Sequence, residues 1–158
     1  MANTQSMCTS FMGELMTATH NFGTAPVRAV TTADTFKAAL YLTSATVNAA
    51  TTAYSPTDEV SGPGYTAGGV TVTNATPPTA TNSSATAGVA FFTPSGSLTY
   101  TTVTLATAFD TVLIYNSTQG NKAVSVHTFG SQTITAGTFT LTMPSNTTTT
   151  ALLRLSTT

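Results

Sequence analysis

From Phe36 onward apolar and polar side chains alternate with a period of two, the signature of half-buried β-strands. Phe36, Ala38, Leu40 and Leu42 share one face of the first such segment, with Lys37, Ala39, Tyr41 and Thr43 on the other. Further strands are predicted over 70–73, 88–93, 98–105, 111–116, 123–129, 132–135, 138–143 and 151–156. Pro94-Ser-Gly96, Asp110, Gln119-Gly-Asn121, Gly130-Ser131, Ala136-Gly137 and Pro144-Ser-Asn146 are read as the breaks between them. In 138–143 the alternation is strict, Phe139, Leu141 and Met143 facing in and three threonines facing out. About eight or nine short strands on a regular beat predict an all-β fold, a jelly-roll-like β-sandwich. Residues 79–86 carry no large apolar side chain and are expected to form a flexible surface loop.

Ahead of Phe36 the period changes. Met7, Phe11 and Leu15, with Met12 and Met16, recur at four-residue steps while Glu14 falls off the stripe, so a short N-terminal helix is predicted over 7–20, capped by Thr9 or Ser10. The aperiodic stretch 21–34, with Gly23 and Pro26, reads as an extended arm. The expected organisation is therefore a helix and docking arm over 1–35 and a β-sandwich domain over 36–158. Phe11, Met12, Leu15, Met16, Phe22, Val27 and Val30 are the candidate interface residues through which that arm docks on a neighbour.

Composition narrows the function. Of 158 residues only 6% are charged, against roughly 25% in an ordinary domain, whereas 40 are Thr and 14 are Ser. Thr suits strands because its branched Cβ favours extended backbone and its hydroxyl tolerates water, but this gives no reason for the tract Thr147 to Thr150, which falls in a predicted loop. Four scattered cations and a net charge of -1 offer nothing to a phosphate backbone, so no nucleic-acid partner is expected. No apolar run of about 18 residues occurs and no basic leader precedes one, so neither a membrane span nor a signal peptide is expected. Asn74, Asn82, Asn116 and Asn146 head glycosylation sequons, a number that so much Ser and Thr produces by composition alone.

The candidate chemistry is thin. His127 shares the polar face of its strand with Ser125, and His20 has no carboxylate or nucleophile near it in sequence. Asp58 and Glu59 are adjacent and point to opposite sides of an extended chain, so they read as an exposed loop pair rather than an acid and base. The run from Ser61 to Gly69 lacks the Gly-Lys-Ser/Thr ending of a phosphate loop and reads as a turn doubling back before Val70. Cys8 lies by the apolar stripe with no cation to activate it, so packing is expected of it. No catalytic, cofactor-binding or metal-ligating residue is assigned, and no enzyme activity or cofactor is expected.

Four blocks, 36–42, 54–69, 113–124 and 129–141, together resemble a group of small virion-associated proteins encoded in the structural modules of tailed bacteriophages. The likeness spans roughly residues 11–156 and is weak across 74–109. Small jelly-roll proteins of tailed phages often act as head decoration or cement proteins, commonly as trimers. The resemblance therefore implies a structural protein on the virion capsid surface, a homotrimer whose partner is the major capsid protein. The alternatives are a tail, fibre or spike component contacting the host, for which exposed Tyr54 and Tyr65 would speak, or a carbohydrate-binding β-sandwich, against which stands the absence of Trp.

Overall fold

The computed structural model describes residues 3–8, 11, 15, 19–20, 22, 33–73, 78–81, 88–94 and 96–156. It is an all-β protein of two antiparallel sheets. In chain order the strands are β1 (Ser6–Met7), β2 (Phe36–Leu42), β3 (Val70–Val72), β4 (Thr79–Thr81), β5 (Val89–Phe92), β6 (Leu98–Asn116), β7 (Lys122–Leu141) and β8 (Leu153–Ser156). One sheet has the order β1-β7-β6-β2-β3 and the other β4-β5-β8. The chain forms two compact units, the first from Met1–His20, Asp34–Val72 and Leu98–Thr140, the second from Asn21–Ala33, Thr73–Ser97 and Leu141–Thr158.

In the first unit β2 lies between β6 and β3, pairing Ala38 with Ile114 on one side and Val70 on the other. A strand flanked on both sides and buried on both faces needs small or apolar side chains throughout, and Ala38, Ala39, Leu40 and Tyr41 are all buried. The long hairpin β6–β7 is where the structure departs furthest from the expected short strands. Asp110 does not end a strand: Tyr41 pairs with Thr111 and Leu42 with Phe109, so Asp110 is the extra residue of a β-bulge. Its carboxylate accepts from Asn3 Nδ2 at 2.9 Å and from Thr111 Oγ1 at 2.7 Å, which makes an acidic residue tolerable inside the strand. Gly130-Ser131 and Ala136-Gly137 likewise lie within β7. Ala136 takes a left-handed φ of 47° and its N–H donates to Thr104 Oγ1 at 3.0 Å, so the strand is perturbed there and continues. The β-branched residues on either side outweigh the weak breaking power of one Gly in an exposed strand.

The N-terminus also differs. Met7, expected to open a helix, lies in β1, paired with Ser125 of β7, because the edge of β7 offers unpaired backbone groups that an extended segment satisfies. Phe11 and Leu15 have helical backbone, and most of the remaining expected helix lies outside the described residues. Cys8 and Phe11 are fully buried in the first unit. Phe109, Phe129 and Phe139 pack on one face of the hairpin, with ring centroids 5.1 to 5.9 Å apart.

In the second unit Thr79–Thr81, expected in a loop, is a strand paired with Val89–Phe91, and residues 82–87 lie outside the described ones. Phe22 packs on Phe92 at 4.9 Å, and Thr93 Oγ1 accepts from Leu152 N–H at 2.9 Å. The tract Thr147–Thr150 has a local reason after all. Thr147 Oγ1 accepts from the N–H of Thr150 at 3.2 Å, and Thr150 Oγ1 donates to the Ser145 carbonyl at 2.8 Å, so the hydroxyls close the turn ahead of Ala151.

Candidate functional site

The densest polar constellation is built on Glu59, at the end of the loop that leaves β2. Val60 N–H donates to the Leu40 carbonyl and Leu42 N–H to the Asp58 carbonyl, so this loop runs back along β2 and turns the Glu59 side chain inward. Its Oε1 accepts from Tyr65 Oη at 2.6 Å and from Gly68 N–H at 2.8 Å, and its Oε2 accepts from Tyr54 Oη at 2.7 Å. Charge-assisted bonds of this length are about twice as strong as neutral ones. The other tyrosines join the same layer. Tyr115 Oη donates to the Gly68 carbonyl at 2.9 Å, Tyr41 Oη to Ser55, and Tyr100 Oη to the Ala38 carbonyl at 2.8 Å. Tyr54 stacks on Tyr115 at 4.6 Å and Tyr65 on Tyr100 at 6.0 Å, so all five tyrosines of the chain converge here. Burial raises the pKa of every one of these phenols, and the Glu59 charge raises each further; Tyr115 reaches about 12.

The glycines of the same loop permit close backbone approach. Gly69, at φ +74°, lies so near the Ala38 carbonyl that a Cβ would collide with it, and Gly64, at φ +79°, lies as near the Thr102 carbonyl. The run from Ser61 to Gly69 does double the chain back before Val70, as its turn residues predict, and in doing so seats it on β2 and β6. Beside it is a cavity of about 270 Å³ lined by Gly64, Tyr65, Thr66, Thr99, Tyr100 and Thr101. No charged residue lines this cavity.

A second constellation forms where β6 ends. Asn116, fully buried, donates through Nδ2 to Asp34 Oδ2 at 2.8 Å and to His20 Nδ1 at 3.0 Å, while its Oδ1 accepts from the N–H groups of Thr118 and Gln119. The backbone donors fix the amide orientation, so His20 Nδ1 is the acceptor and its ring proton sits on Nε2. Gln119 Nε2 completes the set on Asp34 Oδ1 at 3.0 Å. His20 thus has a carboxylate in its neighbourhood that sequence separation concealed, but the intervening amide, not a nucleophile, joins them.

Ser125 and His127 share a strand face as alternation predicts, with Nε2 and Oγ 2.9 Å apart. Burial lowers the His127 pKa to about 4, and Ser125, paired with Met7 of β1, is 1% exposed, so a substrate has no path to its hydroxyl. Among the described residues no group of His, Cys, Asp and Glu is placed to hold a metal ion.

The structure corrects two readings of single residues. Glu59 is not an exposed loop carboxylate but the hub of the tyrosine layer, while its neighbour Asp58 is exposed. Tyr54 and Tyr65 are half-buried with their hydroxyls on Glu59 rather than presented on loop tips. Of the expected interface residues, Phe11 and Phe22 are buried within the chain and Leu15 is half-buried, while Met12, Met16, Val27 and Val30 lie outside the described residues. Comparison with protein-family models, curated proteins and solved structures gave no match.

Proposed function

We propose that this protein is a non-enzymatic structural component of a tailed-phage virion, which decorates and cements the capsid surface as a homo-oligomer, the trimer being the form its sequence resemblance implies. Its partner is the major capsid protein, reached in part through the segment 1–35, and a jelly-roll-like closure of the β-sheets belongs to the same proposal. The observation that carries this reading is a β-sheet protein with 6% charged residues whose strands present mainly threonine hydroxyls outward. Such a surface suits broad hydrogen-bonded and apolar contact with neighbouring subunits. The polar clusters favour the same reading, since Glu59, Asn116 and the tyrosine hydroxyls are engaged within the chain. The alternatives of host-surface or sugar contact gain no support from Tyr54 and Tyr65, whose hydroxyls hold Glu59.

Cementing gains from multiplicity, because one oligomer bridging several shell subunits turns modest contacts into tight attachment. Imaging of intact particles is the test: density for this chain at local threefold axes of the head is expected, and density on the tail alone refutes the proposal. Attachment by neutral contacts is also expected to survive high salt, since screening acts on charges.

A further inference from the structure

We infer that the free edge of β7, from Thr128 to Thr140, is where two copies of this chain join, by adding a strand of one copy to the sheet of the other. β7 has β6 along one side, and on its other side β1 pairs only with Ser125 and Val126. Upstream of Ser6 the N-terminal segment turns away: Thr4 N–H donates to the Val47 carbonyl, and Asn3 Nδ2 to the Leu42 carbonyl and Asp110 Oδ1. Beyond Val126, therefore, no strand among the described residues lies along this edge of β7. Gly130, Ser131, Gln132, Thr133, Thr135, Ala136, Thr138 and Thr140 are all exposed.

An edge of this length presents a row of unpaired N–H and C=O groups, and monomeric proteins blunt such edges with Lys, Pro, inward charges or a covering segment. This edge has no Lys, Pro or charge, no strand among the described residues covers it past Val126, and its left-handed residue, Ala136, comes only after the stretch from Thr128 to Thr135. From Ala123 to Leu153 there is no Asp, Glu, Lys or Arg, and the first proline after the hairpin turn is Pro144. The occupant follows from the same facts. A neutral edge offers nothing to a charged partner, and it meets its own copy without repulsion. Strand donors and acceptors alternate, so an edge run antiparallel to another matches it by backbone alone. The chain already uses this chemistry on the same edge, where β1 is added antiparallel.

This inference rests only on the self-assembly part of the proposed function and is independent of any capsid. The test is the mass of the full chain in solution, by light scattering or sedimentation, with Thr133→Lys/Thr135→Lys beside wild type and Thr57→Lys, in an exposed loop, as control. A wild-type assembly of two, in which identical edges meet antiparallel, is expected, with the double lysine variant monomeric and Thr57→Lys unchanged, and a wild-type trimer overturns the pairing of like edges. A wild-type monomer at the highest attainable concentration overturns the edge and self-assembly together. An oligomeric double variant overturns the edge alone and leaves self-assembly standing. If the variant fails to fold, amide exchange on wild type decides: protection across 131–135 that rises with protein concentration is expected, and protection that does not change with concentration overturns the inference.

Discussion

The two flanks of the larger sheet are made of similar residues and held in different ways. On the β2–β3 side the loop 43–69 is fastened over the strands by five tyrosines and one carboxylate, with glycine backbones pressed against the Ala38 and Thr102 carbonyls. On the β7 side the same threonine-rich strand chemistry runs on past β1 with Thr133, Thr135, Thr138 and Thr140 exposed. The contrast teaches that the pattern of β-formers decides where strands exist, whereas burial is decided by what the chain lays over them. Ala123 to Val126, the last two paired edge to edge with β1, are buried on both faces, and about ten residues further along the same strand Thr133 and Thr135 are exposed.

The anchored flank is expected to break most easily at its closest approach. Gly69→Ala demands a Cβ where the Ala38 carbonyl already stands, at a positive φ, and should cost about 4 kcal/mol in urea unfolding. Glu59→Ala removes three charge-assisted bonds at once and should cost about 3 kcal/mol, with Tyr54 and Tyr65 fluorescence changed. The β7 flank should instead be pH-sensitive. The unfolded chain takes up the His127 proton near 6.5 and the folded chain only near 4, so the unfolded state binds more protons between these values and stability falls as pH drops through them. The full loss is about 3 kcal/mol, and His127→Gln should flatten the profile. Asn3→Ala, which loosens the tie between the N-terminal segment and the sheet, should cost about 1 kcal/mol. Thr133→Lys, on the uncovered edge, should change stability by less than about 0.5 kcal/mol, in contrast to its effect on assembly.

The sequence made β2 legible to within one residue, the strand ending at Leu42 where the alternation continues through Thr43, but not its burial on both faces, which Ala39 and Tyr41 share with Ala38 and Leu40. It also made legible the break at Gln119-Gly-Asn121, which falls in the turn between β6 and β7, and the glycine-rich doubling-back before β3. The long hairpin was not legible as one piece. Asp110 carries a breaker's composition, and its carboxylate is satisfied inside the strand by Thr111 and by a partner from the far N-terminus, Asn3, which local sequence does not reveal. Glu59 was missed for the same reason. Its donors Tyr54, Tyr65 and Gly68 are local, but Tyr41, Tyr100 and Tyr115 reach the layer through pairing across the sheet, which no spacing along the chain encodes. A faint signal existed: every tyrosine of the chain lies in or beside a predicted strand or in the loop between the first two.

The amide of Asn116 has a consequence for making this protein. Asn116 heads a sequon, Asn-Ser-Thr, and a glycan would be attached at Nδ2, the atom whose hydrogens are directed at Asp34 and His20 in a fully buried position. In a secretory pathway an oligosaccharide placed there on the nascent chain would have no room once β6 docks, so glycosylation and folding compete for the same nitrogen. Production in a cytosol without that machinery avoids the contest, and Ser117 and Thr118 can then serve the hairpin turn undisturbed.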